Sequence, residues 1–325
     1  MMTSPPRRIL VTGGAGFIGS HIVCQLRDAG HVVGVVDDLS SGLQENLPPG
    51  AQFFHVDLRQ RSKVKEVLQE FRPDTLCHHA AQVSVSRSVK FPALDAETNI
   101  MGWLSLLEEA CHVGVRRVVF AASGGTAYGE TQVPATEDWV AAPTSPYGIA
   151  KRVGEQYLEF FVREHGLQGV VLRYANVYGP RQNPHGEAGV VSIFCQQLLL
   201  GQPARLNDEG RCERDFVYVK DVMRANLLAL LTPPEQPFVI LNVGTGRLTS
   251  IRELEQLVRS LLSEITGRTF PEPVLGPRRD GDLLHNVLNA DLAGQVLGWR
   301  PEVSLEQGLR ETVEWFYEHS LQSNS

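Results

Sequence analysis

A glycine-rich turn joins a short apolar run to an amphipathic helix near the start of the chain. Ile9–Val11 is followed by Thr-Gly-Gly-Ala-Gly-Phe-Ile-Gly at positions 12–19, and the helical pattern then continues to Ala29. Glycines at this spacing let the backbone turn tightly and approach a pyrophosphate, while the start of the helix directs unpaired N–H groups at that charge. The pattern therefore predicts a strand–turn–helix unit that binds a dinucleotide. A plain glycine turn is the alternative if the spacing is taken alone.

Short β-branched runs alternate with amphipathic helical patterns through the first half of the chain. The predicted strands are Arg8–Thr12, Val32–Val36, Gln52–His55, Thr75–His79, Arg117–Ala122 and Gly169–Tyr174. The predicted helices are Phe17–Ala29, Ser62–Phe71, Ala96–Val113 and Tyr147–His165. Repetition of strand and helix indicates a parallel sheet with helices on both faces. The expected fold class is α/β, with a Rossmann-type doubly wound parallel sheet.

The regular alternation ends after Val177. The segment 178–189 is dense in Gly, Pro and polar residues, which is typical of a loop over a site, and less regular short elements follow it. We expect a nucleotide-binding domain at 1–175, to which later interleaved segments can also contribute. The remaining residues, 176–325, are expected to form mainly a smaller substrate-binding lobe.

Composition excludes several classes of function. The 325 residues include 30 Lys and Arg against 37 Asp and Glu, which gives a formal net charge of −7. No nucleic-acid partner is expected, because there is no basic stripe to displace counterions from phosphates. No membrane association is expected either, because apolar runs never exceed five residues, against the ~20 that span a bilayer. Five scattered cysteines without a Cys-x-x-Cys pair argue against a metal site and favour a cytoplasmic location.

Asp37 ends the second predicted strand, 18 residues after Gly19. A carboxylate at this point can accept hydrogen bonds from both hydroxyls of an adenosine ribose, and it would repel the 2′-phosphate of NADP. The sequence therefore favours NAD as the dinucleotide. A helix or turn cap is the alternative role for Asp37.

Tyr147 and Lys151 lie four residues apart on one predicted helix, so their side chains share a face. A nearby ammonium group favours the phenolate form of a tyrosine, and an oxidised nicotinamide would add a second positive charge. Ser123 ends a predicted buried strand, where strand ends face the ligand crevice of such sheets. These three residues form a candidate catalytic group, although an exposed helix face and a capping serine are the alternatives.

The motifs, in this order, resemble those of the NAD-dependent nucleotide-sugar 4-epimerases of the UDP-glucose/UDP-galactose type, in the extended short-chain dehydrogenase/reductase family. The resemblance covers nearly the whole chain. It is carried by TGGAGFIG (12–19), VVDDLSSG (35–42), FAASGGTAYGE (120–130), SPYGIAK (145–151), LRYANVYGPRQNPHGEAGVV (172–191), RDFVYVKDV (214–222) and NVGTG (242–246).

The resemblance implies two sets of binding residues. The cofactor would contact Gly13, Gly16, Phe17, Ile18, Gly19, Asp37, Asp38, Ser41, Gly42, Asp57, Leu58, Ala80, Ala81, Gln82, Asn99, Tyr147, Lys151 and Tyr174. The UDP-sugar would contact Ser123, Asn176, Arg214, Arg279, Asp282 and Asn286. Within the second set, the resemblance gives Asn176 and the two arginines to the diphosphate and Asp282 to the uridine ribose.

Three positions depart from the family pattern. Asp38 stands where Asn is usual. With Asp208-Glu209-Gly210, the segment before Arg214 is one residue longer than in the usual Gly-Asp-Gly form, which leaves the uracil contacts near Leu206 and Asn207 open. His78 is followed by His79 where the family has an apolar residue. We interpret both histidines as structural.

The residues after Ser123 favour one reaction of the several that this family performs. The stretch Gly124–Tyr128 contains no acid or base for elimination or decarboxylation. The expected reaction is therefore reversible 4-epimerisation of a UDP-hexose through a 4-keto intermediate with tightly bound NAD. In the family that the chain resembles, the size of one residue near the Gly-Asp motif controls entry of a 2-acetamido group. That position is Asn286 or His285 here, and neither is as bulky as Tyr, so the resemblance implies that the N-acetyl sugars could also be substrates. A UDP-glucuronate 4-epimerase, a dehydrogenase that releases NADH and a non-catalytic NAD sensor remain as alternatives.

The resemblance also implies a homodimer through a four-helix bundle, built from Ala96–Val113 and Tyr147–His165 of each subunit. The apolar stripes of these helices include Leu104, Leu107, Tyr157 and Phe161. Packing within a single subunit would produce such stripes too.

Overall fold

The computed structural model describes residues 6–185, 189–232, 234–278 and 281–322. The strands are β1 Arg8–Thr12, β2 Val32–Asp37, β3 Gln52–His55, β4 Thr75–His78, β5 Arg117–Ser123, β6 Gln168–Tyr174, β7 Asn176–Tyr178, β8 Arg205–Asn207, β9 Glu213–Arg214, β10 Phe216–Tyr218, β11 Phe238–Val243, β12 Thr249–Ser250, β13 Val274–Gly276 and β14 His285–Asn286. The α-helices are α1 Phe17–Asp28, α2 Arg61–Phe71, α3 Val85–Lys90, α4 Pro92–Ala96, α5 Gly102–His112, α6 Gly124–Ala127, α7 Pro146–His165, α8 Val190–Leu199, α9 Val219–Leu231, α10 Ile251–Thr266, α11 Asp291–Leu297 and α12 Leu305–Gln322. Short 3₁₀ turns occupy Gln44–Asn46 and Asp208–Gly210, and a π-helical turn occupies Glu97–Met101.

Seven parallel strands form the central sheet in the order β11-β6-β5-β4-β1-β2-β3. The order reverses between β1 and β4, and this is the point at which open parallel sheets bind their ligands, beyond the carboxyl ends of the strands. The predicted α/β class and doubly wound sheet are confirmed.

Apolar side chains cover the sheet on both faces. One core cluster, with Val11, Val119 and Leu172, lies under α1, α9 and α11, and the opposite cluster, with Leu10, Val118 and Val171, lies under α2, α5 and α7. Central strands are therefore apolar at nearly every position, as expected for a sheet buried on both sides.

The second half of the chain builds a smaller lobe and also completes the sheet. Helices α8, α10 and α12 enclose a third core cluster with β10. However, α9 packs on α1, and β11 pairs with β6 as the outermost strand. The nucleotide-binding unit thus uses segments well beyond residue 175, while the exact division into domains stays a prediction.

The predicted strands agree with the structure to within one residue at each end, because each is a short apolar run between turns. The single predicted helix Ala96–Val113 is wrong at its start. The chain there forms α4, the π-turn Glu97–Met101 and α5 in succession. A π-turn inserts one extra residue and is frequent at functional sites, and it leaves the helical periodicity of the apolar residues almost unchanged.

The described helices include none with the length and apolar character required to cross a membrane.

Candidate active site

The nucleotide loop, residues 12–19, runs from β1 into α1 with almost no spare room around its backbone. Gly13 adopts a left-handed conformation, with φ +67°, and a Cβ built on it would lie 2.6 Å from the Ala80 nitrogen. A Cβ on Gly14 would lie 2.8 Å from Val35 Cγ1, and one on Gly19 would overlap the Gly13 carbonyl oxygen. Only glycine fits these positions. The backbone can therefore pass close to a bound pyrophosphate.

The first turn of α1 is open to an anion. Gly16 is the N-cap residue, no side chain caps the helix, and no acidic residue stands in its first turn. The N–H groups at the positive end of the helix thus remain available to a phosphate. Phe17 and Ile18 are partly buried and pack against the core of the smaller lobe, so the start of the helix also joins the two halves of the molecule.

Asp37 holds the other side of the nucleotide loop. Its carboxylate accepts hydrogen bonds from the Ala15 nitrogen at 3.0 Å and the Leu39 nitrogen at 2.9 Å. Burial raises the pKa of Asp37, partly offset by these two hydrogen bonds. Each oxygen still has a lone pair for a ribose hydroxyl. Neighbouring Asp38 is exposed and bonds Ser40.

The segment after β2 lies directly over the nucleotide loop. A Cβ on Gly42 would lie 2.8 Å from the Ala15 carbonyl carbon, while Ser41 beside it is exposed. Farther out, Asp57 is held by Arg59, whose hydrogen bond lowers the pKa of that carboxyl. Leu58 is buried in the core cluster beneath α2 and α5. The adenosine contacts that the resemblance implies for these residues stay predictions.

The segment after β4 is fixed by the π-turn. The Gln82 nitrogen donates to Asn99 Oδ1 at 2.9 Å, and Asn99 Nδ2 donates to the Gln82 carbonyl at 2.9 Å. Asp95 accepts from both side chains, at 3.0 and 2.9 Å. Ala80 and Ala81 are thereby held against the loop. Asp95 was not identified from the sequence, although an acidic residue four positions before Asn99 on a helix is a detectable signal.

Lys151 and Tyr147 project from α7 as the i, i+4 spacing predicts. Lys151 is buried, donates to the Ala121 carbonyl at 2.9 Å, and places Nζ 5.8 Å from the centre of the Tyr147 ring. Helix α7 begins with Pro146 after the N-cap Ser145, whose hydroxyl accepts from the Gly148 nitrogen. This cap sets the position of the first turn, which carries Tyr147.

Burial shifts the pKa values of both Tyr147 and Lys151. Burial, and then the carboxylate of Asp95, raise the pKa of Tyr147, while burial lowers the pKa of Lys151 to about 8. Lys151 by itself does not lower the pKa of Tyr147, because desolvation disfavours the phenolate more than one ammonium group favours it. The expected effect of two positive charges, Lys151 and an oxidised nicotinamide, stays a prediction. A second positive charge is needed beside the phenol.

Ser123 ends β5 and faces the same crevice. A Cβ on Gly125 would have Ser123 Oγ at 3.8 Å and Asn286 Oδ1 at 3.9 Å as neighbours, so these two polar atoms flank one small open volume. Gly148, next to Tyr147, allows α7 to approach, since a Cβ there would lie 3.2 Å from Thr126 Cβ. The serine strand and the tyrosine helix thus meet at this point.

His78 and His79 are both held by hydrogen bonds. His78 is buried, bonds Thr12 Oγ1 at 2.7 Å and stacks on Trp103. His79 Nε2 lies 3.1 Å from the Tyr174 hydroxyl. Burial, then the charge of Lys151, lower the pKa of His79 to about 3, so the imidazole is neutral.

A cavity of about 350 Å³ opens between β7, β9 and α8. Its lining includes Asn176 and Arg214, which the sequence placed at a diphosphate, and Gln182, which it did not identify. Gln182 is 8% exposed, and its Oε1 has no hydrogen-bond partner among the described residues. Arg214 donates to the Glu213 and Leu284 carbonyls, which leaves further guanidinium N–H groups for an anion.

Buried Asp215 fixes the strands around this cavity. Its carboxylate accepts from the Thr245 nitrogen at 2.9 Å, the Gly246 nitrogen at 3.1 Å and the Leu288 nitrogen at 3.4 Å. The Asp215 backbone pairs with Asn176 and Asn286. The sequence motif RDFVYV contained this residue without revealing its structural role.

Two further predicted substrate residues, Asn286 and Asp282, lie in β14 and shortly before it. Asn286 is 1% exposed and donates to the Gly129 carbonyl at 3.0 Å, and its Oδ1 has no partner among the described residues. Asp282 is partly buried, and its backbone carbonyl accepts from Arg278. Arg279 lies outside the described residues.

The insertion before Arg214 forms a 3₁₀ turn with three successive left-handed residues. These are Asp208 (φ 48°), Glu209 (φ 55°) and Gly210 (φ 73°). Arg252 braces the turn by donating to the Glu209 carbonyl at 2.9 Å. The extra residue is therefore absorbed in the turn, and β8 with Leu206 and Asn207 keeps its pairing with β13.

Comparison with known proteins identifies the family. The model of the NAD dependent epimerase/dehydratase family matches residues 9–244. A UDP-glucose 4-epimerase of Mycolicibacterium smegmatis is 42% identical over 315 residues, which cover 95% of this chain and 98% of the relative. The solved UDP-glucose 4-epimerase of Thermotoga maritima with UDP-glucose is 48% identical with a TM-score of 0.90, and the match covers 96% of this chain and 99% of that one.

A second solved structure is of the Thermus thermophilus UDP-glucose 4-epimerase in complex with NAD. It is 46% identical with a TM-score of 0.88, and the match covers 95% of this chain and 98% of that one. Family model, full-length identity and fold agree with the loop, the Tyr–Lys helix and the strand-end serine. The chain belongs to the NAD dependent epimerase/dehydratase family.

Proposed function

We propose that the protein is an NAD-dependent UDP-hexose 4-epimerase that interconverts UDP-glucose and UDP-galactose. The observation that carries this proposal is a juxtaposition of sites. Ser123 and the Tyr147–Lys151 pair lie at the carboxyl ends of the sheet, beside a cavity that offers Asn176 and Arg214 to a diphosphate. Family membership and the full-length relatives named UDP-glucose 4-epimerase support it.

The residues around the loop fit NAD. The loop glycines hold a tight turn in which a Cβ would overlap the chain itself, the start of α1 has no side-chain cap, and Asp37 is placed for a ribose without a 2′-phosphate. NAD held by these residues would supply a reversible hydride acceptor for the sugar carbon.

Three side chains act on the sugar. Tyr147, as phenolate, takes the proton from the 4-hydroxyl, and Ser123 Oγ hydrogen-bonds the same oxygen. Lys151 supplies a positive charge near the phenol and, through the Ala121 carbonyl, is held at a fixed distance from β5. After the 4-keto sugar turns over, Tyr147 returns the proton, so the enzyme ends in its initial state.

The nucleotide part of the substrate would stay anchored during this turn. Arg214 and Asn176 hold the diphosphate, with Arg279 as a second cation, because guanidinium forks match phosphate oxygens. Asp282 would bond the uridine ribose. The chain as a whole carries a net charge of −7, so arginines gathered at one site favour an anionic ligand such as a diphosphate there.

The deciding experiment incubates the pure protein with UDP-galactose without added NAD and separates the products by chromatography. UDP-glucose should appear until the equilibrium ratio is reached, and NAD should be recovered from the denatured protein. Stoichiometric NADH release would instead indicate a dehydrogenase. No conversion of UDP-galactose, UDP-GalNAc or UDP-glucuronate by folded, NAD-loaded protein would contradict the proposal and favour a sensor.

Asn286 is expected to set the tolerance for a 2-acetamido group. Its Oδ1 lies 3.9 Å from a Cβ built on Gly125, close to Ser123 Oγ, so the size of this side chain limits the space next to the serine. Asn286→Tyr should fill this space and lower kcat/KM for UDP-GalNAc by at least about tenfold relative to UDP-galactose. Asn286→Ser, which is smaller, should preserve both activities. Equal losses for both sugars in the Tyr variant would refute this role.

We further propose that two chains pair through α5 and α7. Of the residues expected there, Leu107 and Phe161 are buried in the subunit core, and Leu104 packs against it. Tyr157 is exposed, and so are Met101, Ile149 and Phe160, at 57%, 48% and 44%. Exposed apolar side chains on these helices favour a protein partner. Because the family resemblance implies a homodimer through the same helices, we propose that the partner is a second copy of this chain.

Phe160→Glu tests this pairing. The native protein should run at twice the chain mass in light scattering, and the variant should dissociate roughly tenfold or more readily. Leu275→Glu, at an exposed apolar residue of β13 that is 61% accessible, is the matched control. A native protein of single-chain mass, or equal behaviour of the two variants, would rule the interface out.

We also propose a cytoplasmic location, because the five cysteines are free thiols.

A further inference from the structure

Four side chains form a ring beneath the crevice, between the nucleotide loop and Ser123. Cys77 and His79 come from the end of β4, Tyr174 ends β6, and Asn226 lies on α9. His79 Nε2 lies 3.1 Å from the Tyr174 oxygen, which lies 2.9 Å from Asn226 Nδ2. Cys77 Sγ lies 3.9 Å from Asn226 Oδ1 and 3.5 Å from His79 Nδ1. The four contacts close the ring.

The sheet explains why these residues meet. Strands β4 and β6 flank β5, and the small Ala121 of β5 shares a core cluster with Cys77 and Tyr174. The rings of His79 and Tyr174 can therefore stack across that strand, with centres 6.1 Å apart and planes at 19°. Cys77 and Asn226 are fully buried, so the Cys77 thiol and Asn226 Oδ1 depend on protein partners for their hydrogen bonds.

The direction of each hydrogen bond follows from Asn226. Its Nδ2 donates to the Val222 carbonyl at 2.8 Å and to the Tyr174 oxygen at 2.9 Å. Asn226 Oδ1 also lies 3.1 Å from that oxygen, but one amide cannot direct both its N–H and its Oδ1 lone pair in line with the same hydroxyl. The Tyr174 hydrogen therefore points to His79 Nε2. His79 then carries its proton on Nδ1, directed at Cys77, and the thiol donates to Asn226 Oδ1.

We propose that this ring makes His79 a positioning residue, which ties the nucleotide loop to the strand that ends at Ser123. On the loop side, the His79 nitrogen donates to the Thr12 carbonyl at 3.0 Å, and a Cβ on Gly13 would lie 2.7 Å from the His79 carbonyl carbon. On the other side, Tyr174 pairs with Ser123 in the β5–β6 register. A displacement of the His79 or Tyr174 side chain is thus transmitted to the nucleotide loop and to Ser123.

The proposal rests on the proposed function for its consequence in catalysis, but the ring itself does not. The neutral state of His79 is consistent with its pKa of about 3, lowered by burial and then by the charge of Lys151. Hydrogen bonds in a closed ring, in which every group donates once and accepts once, strengthen one another, so the ring is more rigid than four independent hydrogen bonds would be. The cofactor loop is expected to gain most from this rigidity, because His79 contacts it through the backbone.

Two buried cysteines provide a matched test. Cys77 and Cys195 are both 0% exposed, and only Cys77 belongs to the ring. In the NAD-loaded protein, nitrogen NMR should show His79 protonated on Nδ1 and unprotonated on Nε2, with the signal assigned by its loss in His79→Gln. Cys77→Ala should change this signature and speed NAD release by roughly three- to tenfold, the effect of about one hydrogen bond. Cys77→Ser should restore both, and Cys195→Ala should leave both unchanged.

A proton on Nε2 would overturn the assigned ring. Equal NAD release from Cys77→Ala and Cys195→Ala would overturn the positioning role. Neither readout requires sugar turnover, so an intact ring in a protein without epimerase activity would contradict only the proposed function.

Discussion

Tyr147→Phe is expected to lower kcat for UDP-galactose by roughly 100- to 10 000-fold, the range for loss of a general acid–base group. The variant lacks the only phenol that lies beside Lys151 among the described residues. NAD should remain bound, because the loop around Gly13 and Asp37 is untouched. Product formation by chromatography and the NAD content of the denatured protein measure the two effects separately.

Tyr157→Phe is the control for this variant, since Tyr157 lies on the same helix but is 37% exposed and away from the crevice. It should retain the native kcat. If Tyr147→Phe kept even a tenth of the native rate, the phenol would not be the proton acceptor, and Ser123 would have to be reconsidered for that role.

Arg173→Met should lower the free energy of unfolding by about 3 kcal/mol, because it leaves a buried carboxylate without its main partner. Arg173 and Glu155 each have a side chain that is 2% exposed, and they are joined by two hydrogen bonds of 2.8 and 2.6 Å. Arg173 also donates to the Tyr128 hydroxyl at 2.6 Å, which donates to Asn242. Urea titration of the NAD-loaded protein gives the change.

The matched control is Arg152→Met, which removes the other cation that contacts Glu155. That arginine side chain is 37% exposed, so the loss should stay below about 1 kcal/mol. The double variant Arg173→Met/Glu155→Leu should regain part of the stability, since it buries no unpaired charge. Equal losses of unfolding free energy in the two single variants would show that the buried Arg173–Glu155 pair stabilises the protein no more than the exposed Arg152 contact does.

The strands and the positions of Ser123, Tyr147 and Lys151 could be predicted because their signals are local, while the catalytic roles of these residues stay predictions. An apolar run between turns defines β1 or β5, and a four-residue spacing places Tyr147 and Lys151 on one face of α7. The family motifs added the list of binding residues. Those assignments stay predictions.

Features that depend on distant partners could not be predicted. The link between Gln82 and Asn99 needs a π-turn whose single extra residue hardly disturbs the apolar periodicity. The pKa of Tyr147 depends on burial and on Asp95, neither of which follows from the Tyr–Lys spacing. The ring through His79 joins residues 149 positions apart in sequence, from Cys77 to Asn226.

The late position of β11 has a consequence for the protein during synthesis. Until Phe238–Val243 leaves the ribosome, the emerging sheet ends at β6, whose outer N–H and C=O groups have no neighbouring strand. An open strand edge recruits other extended chains, and partly made domains are prone to aggregate for this reason. A polypeptide cut near residue 175 should therefore need a chaperone or precipitate, whereas supplying residues 219–243 as a separate fragment should rescue it.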